Sequence, residues 1–177
     1  MFSRIEFVPL PHDAMLGRYE GTNHAYTDCY SVELERRVPL ADYIEAFYTN
    51  PVFKLERLIL SILFSKPSTD KQARELAIGE RDSFSAWRVE DCDLKQILLS
   101  DFSGRTRSWL MVEPMLDANL VRLYFGSAVV FPRNSLGQAI GPSLSFRMLV
   151  GFHQLYSRIL LSATRRSLVA RSCQGDF

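Results

Sequence analysis

Residues 100–114, SDFSGRTRSWLMVEP, set Arg105, Arg107 and Trp109 at alternate positions behind a Ser-Gly pair. Alternate residues of a strand share a face, so two guanidinium groups and an indole stand side by side. A guanidinium on an inner face costs roughly several kcal/mol unless an anion meets it. That chemistry suits a pocket in which Arg107 holds the acidic head of an otherwise apolar ligand. It also suits an outer wall, where Arg105 and Arg107 run over Trp109 toward water and cover its ring by cation–π contact. A two-residue loop at Ser103-Gly104 pairs Ser100 with Arg107 and Leu98 with Trp109. The opposite face then carries Ile97, Leu99, Thr106, Ser108 and Leu110, so alternation alone leaves the core face open. Leu98, Trp109 and Met111 bring more apolar area, worth roughly 1.5–3 kcal/mol for each large side chain, which favours the arginine face as the inner one.

Asp101, Tyr124 and His153 are the candidate proton carriers, and at least two of them must converge before acid–base catalysis is possible. His153 sits within one helical turn of Leu149 and Tyr156, where a hydrogen-bonded boundary histidine explains it with less. No catalytic residue is assigned. Asp28 shares a face with Tyr26 and Tyr30, and is expected at the solvent end of its strand or as the partner of an arginine such as Arg107. Gly126, inside the strong strand pattern LYFGSAVV, leaves room for a bend, a bulge or a close neighbour, with sheet curvature the plainest reason. His12, His24 and the three separated cysteines Cys29, Cys92 and Cys173 have no metal-ligand spacing, and nothing points to a cofactor.

The chain has 177 residues, enough for one core, with 21 basic and 20 acidic side chains and a formal charge of +1. That balance gives no field to gather nucleic acid. The apolar run LILSILF (58–64) falls short of the roughly 20 residues a membrane span needs. Arg4, Glu6 and two early prolines interrupt any leader-like segment, and the unpaired cysteines suit a reducing, cytoplasmic setting.

The elements that must position these residues follow from period. Residues 1–24 form an arm without sustained period, 25–172 a single domain, and 173–177 a tail. Tyr30, Val32 and Leu34 alternate with Ser31, Glu33 and Glu35, as in a strand wet on one side. Leu40, Tyr43, Ile44 and Phe47 make a helical stripe. Asn50-Pro51 ends that helix and opens another, with Leu55, Leu58, Ile59 and Ile62 facing inward. Thr69 and Gln72 have capping-box spacing for a short helix that stops at Gly79. Four strands follow, FSAWRV (84–89), 94–102, 105–113 and 119–131, with breaks short enough to force antiparallel pairing. After Gly141-Pro142-Ser143 a long helix carries Met148, Phe152, Leu155, Tyr156, Ile159 and Ala163 on one side.

The expected class is α+β: a curved antiparallel sheet wrapped on a long C-terminal helix, with two or three helices after the first strand. This order, with NHAYTDCYSVEL (23–34), RLYFGSAVV (122–130) and FHQLYSRILL (152–161), resembles the START-like or polyketide-cyclase-like superfamily of helix-grip proteins, and an uncharacterised bacterial family within it. One departure is that a single segment, 80–90, stands where that pattern carries two strands. The resemblance implies a cavity between sheet and helix for a small apolar or amphipathic molecule. The residues themselves make Arg107, Trp109, Met111, Tyr124, Phe152, His153 and Tyr156 the candidate contacts, with Arg107 suited to an acidic ligand. It equally admits a cyclase, dehydratase or hydrolase using that cavity. A third reading is an interaction protein whose arm or sheet edge forms a homodimer.

Overall fold

A computed structural model describes residues 4–21, 25–64, 67–116, 119–131 and 144–172, with the side chains at 60, 63–64, 144–153 and 172 outside that description. Its order is β1 (Glu6–Phe7), a 3-10 turn (Met15–Tyr19), β2 (Ala25–Leu34), α1 (Leu40–Thr49), α2 (Pro51–Phe64), α3 (Asp70–Ala77), β3 (Ser83–Phe84), β4 (Trp87–Cys92), β5 (Gln96–Asp101), β6 (Thr106–Pro114), β7 (Val121–Val130) and α4 (Leu144–Ser172). The strands form one antiparallel sheet in the order β1-β2-β7-β6-β5-β4-β3, the α+β helix-grip arrangement expected. Among the described residues no helix is long and apolar enough to cross a membrane. Gly141-Pro142-Ser143, His24 and the 173–177 tail lie outside the described residues.

Local chemistry sets the helices. Asn50 Oδ1 accepts from Phe53 N at 2.9 Å, capping α2, while its amide donates to Phe47 O and to Thr164 Oγ1 on α4. One side chain thus ends α1, starts α2 and fixes α4 to both. Thr69 and Gln72 exchange the two bonds of a capping box, and Gly79, at φ +77, turns the chain out of α3. Arg57, buried on α2, donates to Ser68 and Asp70 and ties α2 to the start of α3.

Two strand expectations change. FSAWRV is not one strand but a tight hairpin, β3 and β4, with Ser85 at φ 55 and Phe84 opposite Trp87. The segment therefore supplies two strands, one of them only two residues long, where one was expected. The β5–β6 register pairs Ser100 with Arg107 and Leu98 with Trp109 as expected. The loop is wider than two residues, however, because Asp101 Oδ1 accepts from Arg105 N and Thr106 N and spans it.

The larger correction concerns faces. Thr106, Ser108, Leu110 and Val112 of β6 look toward the helices, and Leu110 and Val112 join Tyr30, Val32, Leu123 and Phe125 in the main core. Arg107, Trp109 and Met111 point the other way. There Trp109 and Met111, with Leu98, Cys29, Tyr124 and Ala128, are buried under the arm by Ala14 and Leu16. The arginine face is buried at its middle, but by the arm rather than by the terminal helix. β2 is for the same reason not wet on one side, since Cys29 and Ser31 are buried beneath the arm. The molecule has three layers: helices, sheet and arm.

The helix stripes are also rotated. α4 buries Ser157, Leu160, Leu161, Thr164 and Leu168. Leu55, Leu58, Ile59 and Ile62 of α2, and Leu155 and Ile159 of α4, are between 46% and 71% exposed instead of facing inward. α2 is held by Phe53 and Arg57, which leaves its leucine and isoleucine row to border an opening.

Candidate ligand-binding site

That opening leads into a cavity of about 580 Å³ between the helix layer and the sheet. The sheet contributes Trp87, residues 106–108, Phe125 and Ser127; α1 contributes Phe47; α2 contributes Val52, Phe53, Leu55, Glu56 and Ile59; α4 contributes Leu155, Tyr156, Ile159 and Leu160. Phe47 and Phe125 meet with ring centroids 4.8 Å apart and planes tilted by 48° at the junction of α1 and β7. Leu55, Ile59, Leu155 and Ile159 form the rim. A mostly apolar concavity with few polar groups is the usual form of a small-molecule site.

The polar groups are specific. The Tyr156 hydroxyl donates to Glu56 Oε2 across the gap between α4 and α2. Burial pushes the Glu56 carboxyl above its ordinary pKa, and the Tyr156 bond only partly offsets this. Burial likewise raises Tyr156, aided by the negative charge of Glu56. On the sheet, Ser108 Oγ lies 3.2 Å from the Tyr48 hydroxyl, and Ser127 Oγ donates to Asp28 Oδ1 at 2.6 Å. Asp28 is 3% exposed, so it stands neither at the solvent end of its strand nor beside Arg107. The Trp87 indole Nε1 is buried without a hydrogen-bond partner among the described residues.

The residues singled out by sequence divide. Tyr156 lines the cavity, and Phe152 and His153 lie on α4 with side chains outside the described residues. Trp109, Met111 and Tyr124 are on the far face of the sheet. The Arg107 guanidinium is there too: its Nε lies 2.6 Å from Glu90 Oε2 and donates to the Tyr19 hydroxyl at 2.9 Å, and it stacks 4.9 Å over the Tyr19 ring. Arg107 therefore clasps the arm, and its charge is already matched. Asp101 is occupied by its hairpin loop; burial raises its pKa, but bonds from Ser103, Thr106 and Arg105 outweigh that and hold it low. Tyr124 donates to Glu113 on the outer face at 2.7 Å. Asp101 and Tyr124 do not converge.

An outer cleft of about 650 Å³ between the arm and the sheet is slightly larger, lined by residues that include Arg4, Asp13, Glu33, Glu113 and Arg122. Its central charges pair with each other, Arg122 Nη2 reaching Glu33 Oε1 at 2.7 Å. The inner cavity is the better candidate because its carboxylate faces apolar walls. Glu56 was not singled out by sequence, and neither was Trp87 as a site residue. The available signal for Glu56 was its position as the lone acid in the apolar helix PVFKLERLILSILF. Among the described residues no group of three His, Cys, Asp or Glu side chains is placed to hold a metal ion. No family model, curated protein or solved structure matches this chain.

Proposed function

We propose that this protein binds a small amphipathic molecule in the cavity between its sheet and helices α2 and α4. The observation that carries this reading is the exposed apolar rim, Leu55, Ile59, Leu155 and Ile159, leading to an interior with a half-buried carboxylate. Leucines and isoleucines left about half exposed in one row forgo roughly half of the 1.5–3 kcal/mol that full burial of each would bring, a loss that a binding mouth explains. A methylene seated in such a site gains about 0.8 kcal/mol, so an eight-carbon tail brings about 6 kcal/mol before association costs. The Trp87 N–H offers one donor to an oxygen on the ligand. The strand order and the terminal helix laid across the sheet support kinship with START-like helix-grip proteins.

Titration with the neutral apolar dye Nile red tests the reading. Emission should rise to a single-site plateau with the native chain and fall sharply in Ile159→Trp, which narrows the mouth at an exposed position. Equal responses from the two proteins, or none from either, would reject the cavity as a binding site. A second reading, an acid–base enzyme, is favoured by one feature: Glu56 is a desolvated carboxylate hydrogen-bonded to a tyrosine, a pair able to hold and move a proton.

A further inference from the structure

Resting on the reading that the cavity binds an amphipath, we infer that its occupant is a hydrophobic amine, with the protonated nitrogen at Glu56 and the apolar body toward Phe47 and Phe125. Sequence spacing suggested the opposite sign, an acid held by Arg107. The structure removes that anchor, because the Arg107 guanidinium is on the outer face with Glu90 and Tyr19.

Glu56 is set in an apolar wall by its neighbours Val52, Phe53, Leu55 and Ile59. The two cations nearest in sequence are used elsewhere: Lys54 Nζ lies 2.6 Å from Asp70 Oδ2, and Arg57 Nη1 lies 2.7 Å from Asp70 Oδ1. Among the described residues the one hydrogen bond to Glu56 is that from Tyr156. A desolvated carboxylate in this position is relieved either by a proton or by a cation brought by a ligand. An ammonium group offers charge-assisted hydrogen bonds to the carboxylate, roughly twice as strong as neutral ones. The ring faces of Trp87, Phe53 and Tyr156 in the same walls add cation–π surface. A carboxylic acid would instead place a second negative group beside Glu56 with no matching cation among the described residues. An alcohol would gain a neutral hydrogen bond and no more.

Three eight-carbon probes with the same tail separate these cases: octylamine, octanol and octanoate, each competed against Nile red at pH 7, where an alkylamine is protonated as lysine is. Octylamine should bind at least about tenfold more tightly than octanol, equivalent to about 1.4 kcal/mol, with octanoate weakest. In Glu56→Gln, octylamine should fall to the affinity of octanol, while octanol itself stays within about twofold of its native value. Octanoate binding as tightly as octylamine, or an amine preference that survives Glu56→Gln, would overturn the inference. Dye binding that none of the three probes displaces would overturn it too, while leaving the cavity as a binding site. Absence of dye binding would remove the cavity reading first, and this inference with it.

Discussion

Glu56 and Asp70 stand on consecutive helices and are shifted in opposite directions from the ordinary carboxyl value. Burial raises Glu56, so the folded chain holds that proton more firmly than the unfolded chain does. The stability this contributes is complete below the unfolded value of about 4.3 and is lost as pH rises through the higher folded value. Glu56→Gln cannot ionise and still accepts from Tyr156. Its urea midpoint is expected above that of the native chain at pH 7, with the difference closing by about pH 4, near the unfolded carboxylate value. Asp70 runs the other way: burial raises it, but hydrogen bonds from Lys54 and Arg57 outweigh that and lower it. Its stabilisation is present above about pH 3.9 and fades as pH falls through the lower folded value. Gly126 gives a purely steric case. A Cβ there would meet Leu16 Cδ2 at 2.7 Å, Trp109 Cε3 at 2.9 Å and the Asp28 carbonyl at 3.0 Å. No bulge interrupts β7 at this point, since Cys29 and Trp109 both pair with Gly126 in continuous register. The glycine is a seat for the arm, whose Leu16 side chain takes the space a Cβ would need. Gly126→Ala should cost about 1–3 kcal/mol in urea denaturation. Adding Leu16→Ala should show positive coupling in a double-mutant cycle, because one of the three clashes has gone.

At the scale of elements, what could be read from sequence follows how local the determinants are. Asn50-Pro51, Thr69 with Gln72, and Gly79 act within a turn of chain, and α1 ends, α2 and α3 begin, and α3 ends where those residues dictate. The β5–β6 register was legible because one turn fixes it. Face assignment depends on what covers each side, and that information is remote. Arg107, Trp109 and Met111 alternate cleanly with Thr106, Ser108 and Leu110, yet both sets are covered, one by the arm and one by the helices. Larger apolar area correctly marked Trp109 as buried but could not say beneath what. The arm itself has no period because single side chains hold it. Gln96 does much of this: its Oε1 accepts from Trp109 Nε1 at 2.8 Å and Met15 N at 2.9 Å, and its Nε2 donates to Asp13 O at 3.0 Å. On α2 and α4 leucine and isoleucine occupy more than one side, so period could not decide which stripe the sheet would take. Glu56 was missed for the same reason, as a charge on a helix whose buried side was misplaced. Gln96→Leu tests the arm: it strands the indole N–H and two backbone groups, and a cost of about 2–4 kcal/mol is expected. Hydrogen exchange should rise in residues 8–19 and leave α1 unchanged; protection of the arm equal to native would show that apolar contacts alone retain it.

The molecule as a whole places two coverings on one sheet, leaving a charged cleft under the arm and an apolar cavity under the helices. The arm side is closed by Leu16, Trp109 and Gln96, with its outer cleft charged and internally paired. The helix side is closed around Tyr43, Phe47, Tyr48 and Phe53, then opens between α2 and α4. This asymmetry predicts where a ligand's stabilisation should appear. A molecule that binds only the folded chain, supplied at 100 times its Kd, adds about 2.7 kcal/mol. For a chain of 177 residues that corresponds to roughly 5–10 °C in Tm. With octylamine as ligand, slowed amide exchange should concentrate in the middle of α2 and around Tyr156 on α4, the segments that border the mouth. The arm lies across the sheet from the cavity, and its exchange should follow only the global rise in stability. A shift in Tm accompanied by selective protection of residues 8–19 would put the bound amine in the outer cleft, among Glu33, Glu113 and Arg122, and would move the site to the opposite face of the sheet.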